Sequence, residues 1–122
     1  MDDTMAVPAE QVLEDCVTIF PSFRAYWEEN GWYFQDESGA YEACGVLLLL
    51  TWLIYERLPR VSERQWRRLG ALAKQYFDRG EPARGLLGAC LLEPLDGPPY
   101  VDRVLRYFDR DLLRYYHFSG AS

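Results

Sequence analysis

Ala43-Cys44-Gly45-Val46-Leu47-Leu48-Leu49-Leu50-Thr51-Trp52-Leu53-Ile54-Tyr55 is the stretch on which the fold turns. It is thirteen residues long and only Thr51 interrupts its apolar character. A bilayer span needs about 20 such residues, so this one is too short to cross a membrane and reads as a helix buried in a protein core. Extended by helix-compatible flanks, the element is expected from about Tyr41 to Leu58, with Pro59 ending it. A helix that is apolar nearly all round belongs at the centre of a bundle. Gly45 marks a place where a neighbouring element can approach closely.

The segments on either side carry the amphipathic patterns such a central helix needs. From Ala9 to Phe20, the residues Val12, Leu13, Cys16, Val17 and Phe20 recur at helical spacing. Pro21 breaks that run and can open the next, in which Phe23, Tyr26 and Trp27 share a face. Asn30-Gly31 reads as the stop, with Gly31 expected in the left-handed conformation after the helix. Ser62-Glu63-Arg64-Gln65 has the form of a capping box. The helix it opens is expected to about Asp78, with Trp66, Leu69, Leu72, Ala73, Tyr76 and Phe77 facing inward and Arg79-Gly80 closing it. A further helix is expected from Glu81 to Leu92, followed by a loop over Glu93 to Pro99. Tyr100 to Tyr116 then forms a last helix bent near Asp109. The expected fold is all-α: a single-domain bundle of about six helices or stacked helical hairpins over residues 9–118, after a flexible tail at 1–8. The alternative is an α+β fold with a minor strand at 32–36.

Hydrophobic residues make up 49% of the 122 and charged residues 26%, which suits one globular domain with its own core. Cys16, Cys44 and Cys90 are odd in number, widely spaced and set among apolar neighbours. They are expected to be buried free thiols in a reducing compartment. The opening Met1-Asp2-Asp3 lacks the basic-then-apolar order of a secretion signal, and the expected location is the cytoplasm.

The sequence offers little for catalysis. It contains no phosphate-binding glycine loop, no GxSxG, no HExxH and no EF-hand pattern. The single histidine, His117, lies in a C-terminal Tyr-Tyr-His-Phe segment and reads as a helix end. Without CxxC spacing or further histidines there is no metal-ligand set, and no cofactor is expected. Asp109 and Asp111 are two apart and do not face each other on a helix. Asp36 and Glu37 lack the oxygen spacing of a calcium loop. Glu93, after a run of small and apolar residues, is expected to be partly buried and tied to an arginine or to backbone. A deep pocket lined by Glu93, arginine and tyrosine would favour a small enzyme or ligand-binding bundle.

The net charge of −6 is unevenly spread. Residues 1–56 hold eleven Asp/Glu and one basic residue, Arg24, a net of −10, whereas residues 57–122 hold twelve Lys/Arg against eight Asp/Glu, a net of +4. The acidic half repels phosphate backbones and attracts basic proteins. The basic cluster Arg57, Arg60, Arg64, Arg67 and Arg68 reads as a solvated helix face with local ion pairs rather than a nucleic-acid site. Neither a nucleic acid nor a membrane is an expected partner. The interaction signal is Glu28-Glu29-Asn30-Gly31-Trp32-Tyr33-Phe34-Gln35-Asp36-Glu37. Three consecutive rings cannot all enter one core. Either Trp32 and Phe34 plug the interior with Tyr33 at the boundary, or exposed rings within an acidic rim form a protein-binding surface. The candidate partner-binding residues are Glu28, Glu29, Trp32, Tyr33, Phe34, Asp36, Glu37 and Glu42.

The span from Trp66 to Leu95 joins an amphipathic helix, the turn Asp78-Arg79-Gly80-Glu81 and an apolar helix ending Leu91-Leu92-Glu93-Pro94-Leu95. This resembles the small helical immunity proteins of bacterial polymorphic toxin systems, and Phe20-Pro21-Ser22-Phe23 looks like the start of such domains. The resemblance covers about a quarter of the chain and leaves out residues 32–37. It implies a non-catalytic protein that neutralises a cognate toxin by binding it. A non-catalytic adaptor or regulatory interaction domain is the alternative.

Overall fold

The computed structural model describes residues 7–121. Its elements in chain order are α1 (Ala9–Ile19), α2 (Phe23–Asn30), a 3₁₀ turn (Gly31–Phe34), α3 (Ala43–Arg57), a second 3₁₀ turn (Leu58–Arg60), α4 (Glu63–Asp78), α5 (Ala83–Leu87), a π turn (Gly88–Leu92), α6 (Glu93–Leu95), α7 (Val101–Tyr107) and α8 (Arg110–Tyr115). The fold is all-α. Among the described residues the β-type pairing is one isolated bridge, Gln35 to Tyr41, so no strand forms at 32–36.

The apolar run takes the central place. α3 packs against α1, α2, the first 3₁₀ turn, the π turn and α6. Val46, Leu47, Leu49, Leu50, Leu53 and Ile54 are all buried. At roughly 1.5–3 kcal/mol for each fully buried aliphatic side chain, this helix supplies a large share of the hydrophobic stabilisation. Thr51 is buried without an orphaned hydroxyl, because its Oγ1 donates to the Leu48 carbonyl at 2.6 Å. α4 forms a second layer against α1, α5 and α7. Its capping box is complete: Gln65 N–H donates to Ser62 Oγ, and Ser62 N–H donates to Gln65 Oε1, both at 3.0 Å. Gly80 ends it in the left-handed region, at φ 78°.

Several details differ from what the sequence suggests. Gly31 has φ −67°, so it is not a left-handed stop. It is needed for space, since a Cβ there would lie 2.7 Å from the Trp27 ring. After α2 the chain forms a 3₁₀ turn, Gly31–Phe34. The helix expected to stop at Leu92 continues through a π turn to Leu95, with Pro94 directly after the π turn. The bend near Asp109 is a full break, and Asp109 restarts the chain by accepting a hydrogen bond from Leu112 N–H at 2.9 Å. Of the expected tail, Val7 is buried and Pro8 caps α1, while residues 1–6 lie outside the described residues. At the other end, Phe118 and Ala121 are buried, so the packed domain runs past residue 118.

The cysteine reading is corrected. Cys44 and Cys90 form a disulfide that ties the first turn of α3 to the π turn, with their Cα atoms 5.3 Å apart and a sequence separation of 46. Only Cys16 is a free buried thiol, and burial raises its pKa far above the ordinary thiol value. Wide sequence spacing hid the pair because the fold, not the spacing, brings the two residues together. With two of three thiols bridged, the argument for a reducing compartment loses its basis. Among the described residues no helix is long and apolar enough to cross a membrane.

Candidate functional site

The 3₁₀ turn after α2 places three consecutive rings on three different bearings, because successive residues there are about 120° apart. Trp32 and Tyr33 are 70% and 63% exposed, while Phe34 is half-buried. The possibility that Trp32 plugs the core is therefore excluded. Phe34 turns down onto α3, where Gly45 makes room: a Cβ at Gly45 would lie 2.8 Å from Phe34 Cβ.

The exposed rings are not isolated. Tyr33 packs edge-on against Phe34, with ring centroids 5.3 Å apart, and Trp32 lies 5.8 Å from Tyr33. Trp52 of α3 completes the cluster, 5.6 Å from Tyr33 and 5.2 Å from Phe34. One turn further along α3, Tyr55 stacks on Tyr100 at 4.7 Å, and its hydroxyl donates to the Pro94 carbonyl at 2.6 Å. Trp52 and Tyr55 are 37% and 39% exposed. The chain thus carries an aromatic ridge of Trp32, Tyr33 and Trp52, with Tyr55 further along the same helix. Sequence reading missed Trp52 and Tyr55 because it treated the apolar run as buried all round. The signal was present: Trp52, Tyr55 and Glu56 sit at i, i+3 and i+4, the spacing of one helix face.

Beside the ridge runs a groove of about 450 Å³, mainly apolar, lined by Phe34, Asp36, Tyr41, Glu42, Gly45 and Leu48. Its outer wall is the loop 35–41, closed by the Gln35–Tyr41 bridge and by Asp36 N–H donating to the Ala40 carbonyl at 2.9 Å. The Asp36 carboxylate holds this loop from within. It accepts from Ser38 Oγ at 2.6 Å, Ser38 N–H at 2.8 Å and Ala40 N–H at 3.0 Å. These bonds, the Ser38 hydroxyl's foremost, hold its pKa below the ordinary carboxylate value. Asp36 is thus first a structural anchor, although it keeps its charge.

The other candidate acids are unengaged. Glu28, Glu29, Glu37 and Glu42 are exposed, and among the described residues none takes part in an ion pair; those pairs are Arg24–Glu14, Arg67–Glu63, Lys74–Asp78 and Arg114–Asp111. Glu28 and Glu29 lie in the last turn of α2, where the helix dipole mildly disfavours anions, so their placement does not serve helix stability. The fold joins Trp32, Tyr33 and Phe34 with Trp52, and it brings Phe34, Asp36 and Glu42 to one groove. Glu28, Glu29 and Glu37 stay on neighbouring segments.

The remaining candidates are quieter. Glu93 is exposed rather than partly buried, and it is in none of the ion pairs among the described residues. It does line a surface cleft of about 380 Å³ with Arg84, Asp96, Tyr116 and Phe118. That combination was the one a ligand-binding bundle would need, but its arginine and its tyrosine are engaged in the fold. Arg84 Nε donates to the Phe77 carbonyl at 2.8 Å and its guanidinium lies 3.9 Å over the Phe77 ring. Tyr116 donates to the Arg84 carbonyl at 2.7 Å, and burial pushes its pKa up to about 12, so it holds its proton at neutral pH. His117 follows α8 with φ 55°, as a helix-end residue. In the basic cluster, Arg67 pairs with Glu63 and Arg57 donates to Ser22 Oγ at 3.2 Å. No group of three or more metal-ligating side chains converges among the described residues.

The chain matches no protein-family model, no curated protein and no solved structure. The functional reading therefore rests on the ridge, the groove and the charges around them.

Proposed function

We propose that this chain is a non-catalytic protein-binding domain, and more specifically an immunity-type protein that neutralises a toxin domain by covering its active site. The observation that carries the reading is the aromatic ridge of Trp32, Tyr33 and Trp52, held at the surface on helical elements beside carboxylates that take part in no ion pair among the described residues. Tryptophan and tyrosine dominate binding hot spots because they remove much area from water at little entropic loss. Folding alone gains nothing from leaving them in solvent.

The charge supports a basic partner. A surface that is net acidic steers a basic cleft toward it and, once docked, competes with an anionic substrate for that cleft. The toxin reading takes its specificity from the Trp66–Leu95 resemblance. A cytoplasmic site of action stays part of that proposal, and it is the part the Cys44–Cys90 disulfide argues against, since such bonds persist in oxidising compartments.

The test is co-expression with any toxin domain that a neighbouring gene encodes. The intact chain should restore growth and co-purify one-to-one. Trp32→Ala should weaken the complex by about 2 kcal/mol, or roughly thirtyfold in Kd, without unfolding the chain. No protection and no complex would end the toxin reading. Ridge-dependent binding to another protein without protection would favour the adaptor alternative.

A further inference from the structure

Resting on the reading of this face as a docking surface, we infer that the groove beside the ridge is an arginine pocket: it receives one guanidinium side chain of the partner. The groove between the loop 35–41 and the first turns of α3 has two rings, Phe34 and Tyr41, and two carboxylates, Asp36 and Glu42, with no basic residue in its lining. Phe34 is seated over Gly45, which has no side chain to displace it, and Leu48 supplies an apolar surface further along α3. An arginine suits each part. Its methylene stem covers Leu48 and Phe34, its planar head stacks on a ring, and its N–H groups meet a carboxylate at the rim.

The walls are set before any ligand arrives. Tyr41 is fixed against Trp27, with ring centroids 4.9 Å apart, and by its bridge to Gln35. Phe34 is fixed by Trp52 and by its seat over Gly45. Asp36 is locked by three hydrogen bonds from its own loop and stays ionised at any pH a cell offers. Pre-set walls reduce the ordering that binding would otherwise require.

One effect opposes a cation here. α3 begins at Ala43, and a helix N-terminus carries roughly half a positive charge. Two full carboxylates outweigh it, and Glu42 stands at the capping position itself without donating or accepting a cap bond. The groove therefore keeps a negative field, with one carboxylate unengaged among the described residues.

The experiment uses the full chain and amide NMR with three probes: Nα-acetyl-arginine amide, its citrulline analogue and its lysine analogue. Citrulline has nearly the shape of arginine without the charge. Saturating shifts are expected at Tyr41, Glu42, Gly45 and Leu48 with arginine, much smaller ones with lysine and none with citrulline. Glu42→Gln should weaken the arginine response about two- to fivefold, as loss of an exposed ion pair does. Asp36→Asn, which keeps an acceptor oxygen for the loop, should weaken it by a similar factor. Absence of arginine shifts at the groove, equal shifts with citrulline, or shifts no larger there than around Glu93 would each overturn the pocket. A stronger lysine response would overturn the guanidinium assignment. If the pocket fails while Trp32→Ala still weakens the partner complex, the docking face stands and only its anchor is lost.

Discussion

Two glycines control where the ridge sits. At Gly31 a methyl group would press into the Trp27 ring, and at Gly45 into Phe34. Neither contact can be relieved by the far end of a flexible side chain. Gly31→Ala and Gly45→Ala are each expected to destabilise the fold by about 1–3 kcal/mol, the cost of overpacking. Each also displaces the 3₁₀ turn from α3. Trp32→Ala and Tyr33→Ala touch side chains that are mostly in water and should stay within about 0.5 kcal/mol of the parent. Urea unfolding of the four variants checks the contrast, and equal losses at Trp32 and Gly31 would show that the ridge is structural. Asp36 adds a pH signature. Its folded pKa lies below the ordinary 3.8, so its contribution is complete above that value and is lost as pH falls through the folded one. The Ser38 and Ala40 amide resonances should move together only below about pH 4, and Asp36→Asn should remove that transition. At the other extreme, burial and then the hydrogen bond to Glu56 push Tyr26 up to about 12. Its link between α2 and α3 is complete below pH 10 and should fail between about 10 and 12, readable as tyrosinate absorbance.

Periodicity made the elements legible, and tertiary contact decided what periodicity could not. The capping box at Ser62, the central helix over 43–57 and the stop at Gly80 were all readable, because each is a local pattern with a local cause. Gly31 was misread because a glycine that provides room looks, in sequence, like a glycine that provides a turn. The π turn and the continuation through Pro94 have no local signature. Of the candidate site, the 32–34 triplet was legible from composition. Trp52 and Tyr55 were hidden in an apolar run whose burial pattern is set by which neighbours the helix has and which it lacks. The disulfide was illegible for the same reason. It closes a loop of 46 residues, which in the chain-entropy model is worth about 4 kcal/mol. Cys44→Ser with Cys90→Ser should therefore lower the unfolding free energy by about that amount, measured against the parent in denaturant without reductant. Thiol titration of the denatured parent should find one reactive group, Cys16, before reduction and three after. Three before reduction would show the bridge absent.

At the scale of the molecule, the question is whether affinity comes from rings or from charge, and the two predict different kinetics. The first 56 residues are net −10, and part of that charge, Asp2 and Asp3, lies outside the described residues. Exposed carboxylates contribute little individually in water, and at physiological salt their field fades over about 8 Å. They act chiefly on encounter. Neutralising Glu28, Glu29 and Glu37 to glutamine should lower the association rate for a basic partner severalfold at low salt and flatten its salt dependence, while the dissociation rate changes little. Trp32→Ala and Trp52→Ala should do the reverse: association is nearly kept, and dissociation accelerates by one to two orders of magnitude, because the rings are desolvated only after docking. Stopped-flow association with dissociation by competition separates the two. If the glutamine variants alter only the dissociation rate, the acids touch the partner directly and the face is larger than the ridge. If neither set changes either rate, this surface is not where the partner binds.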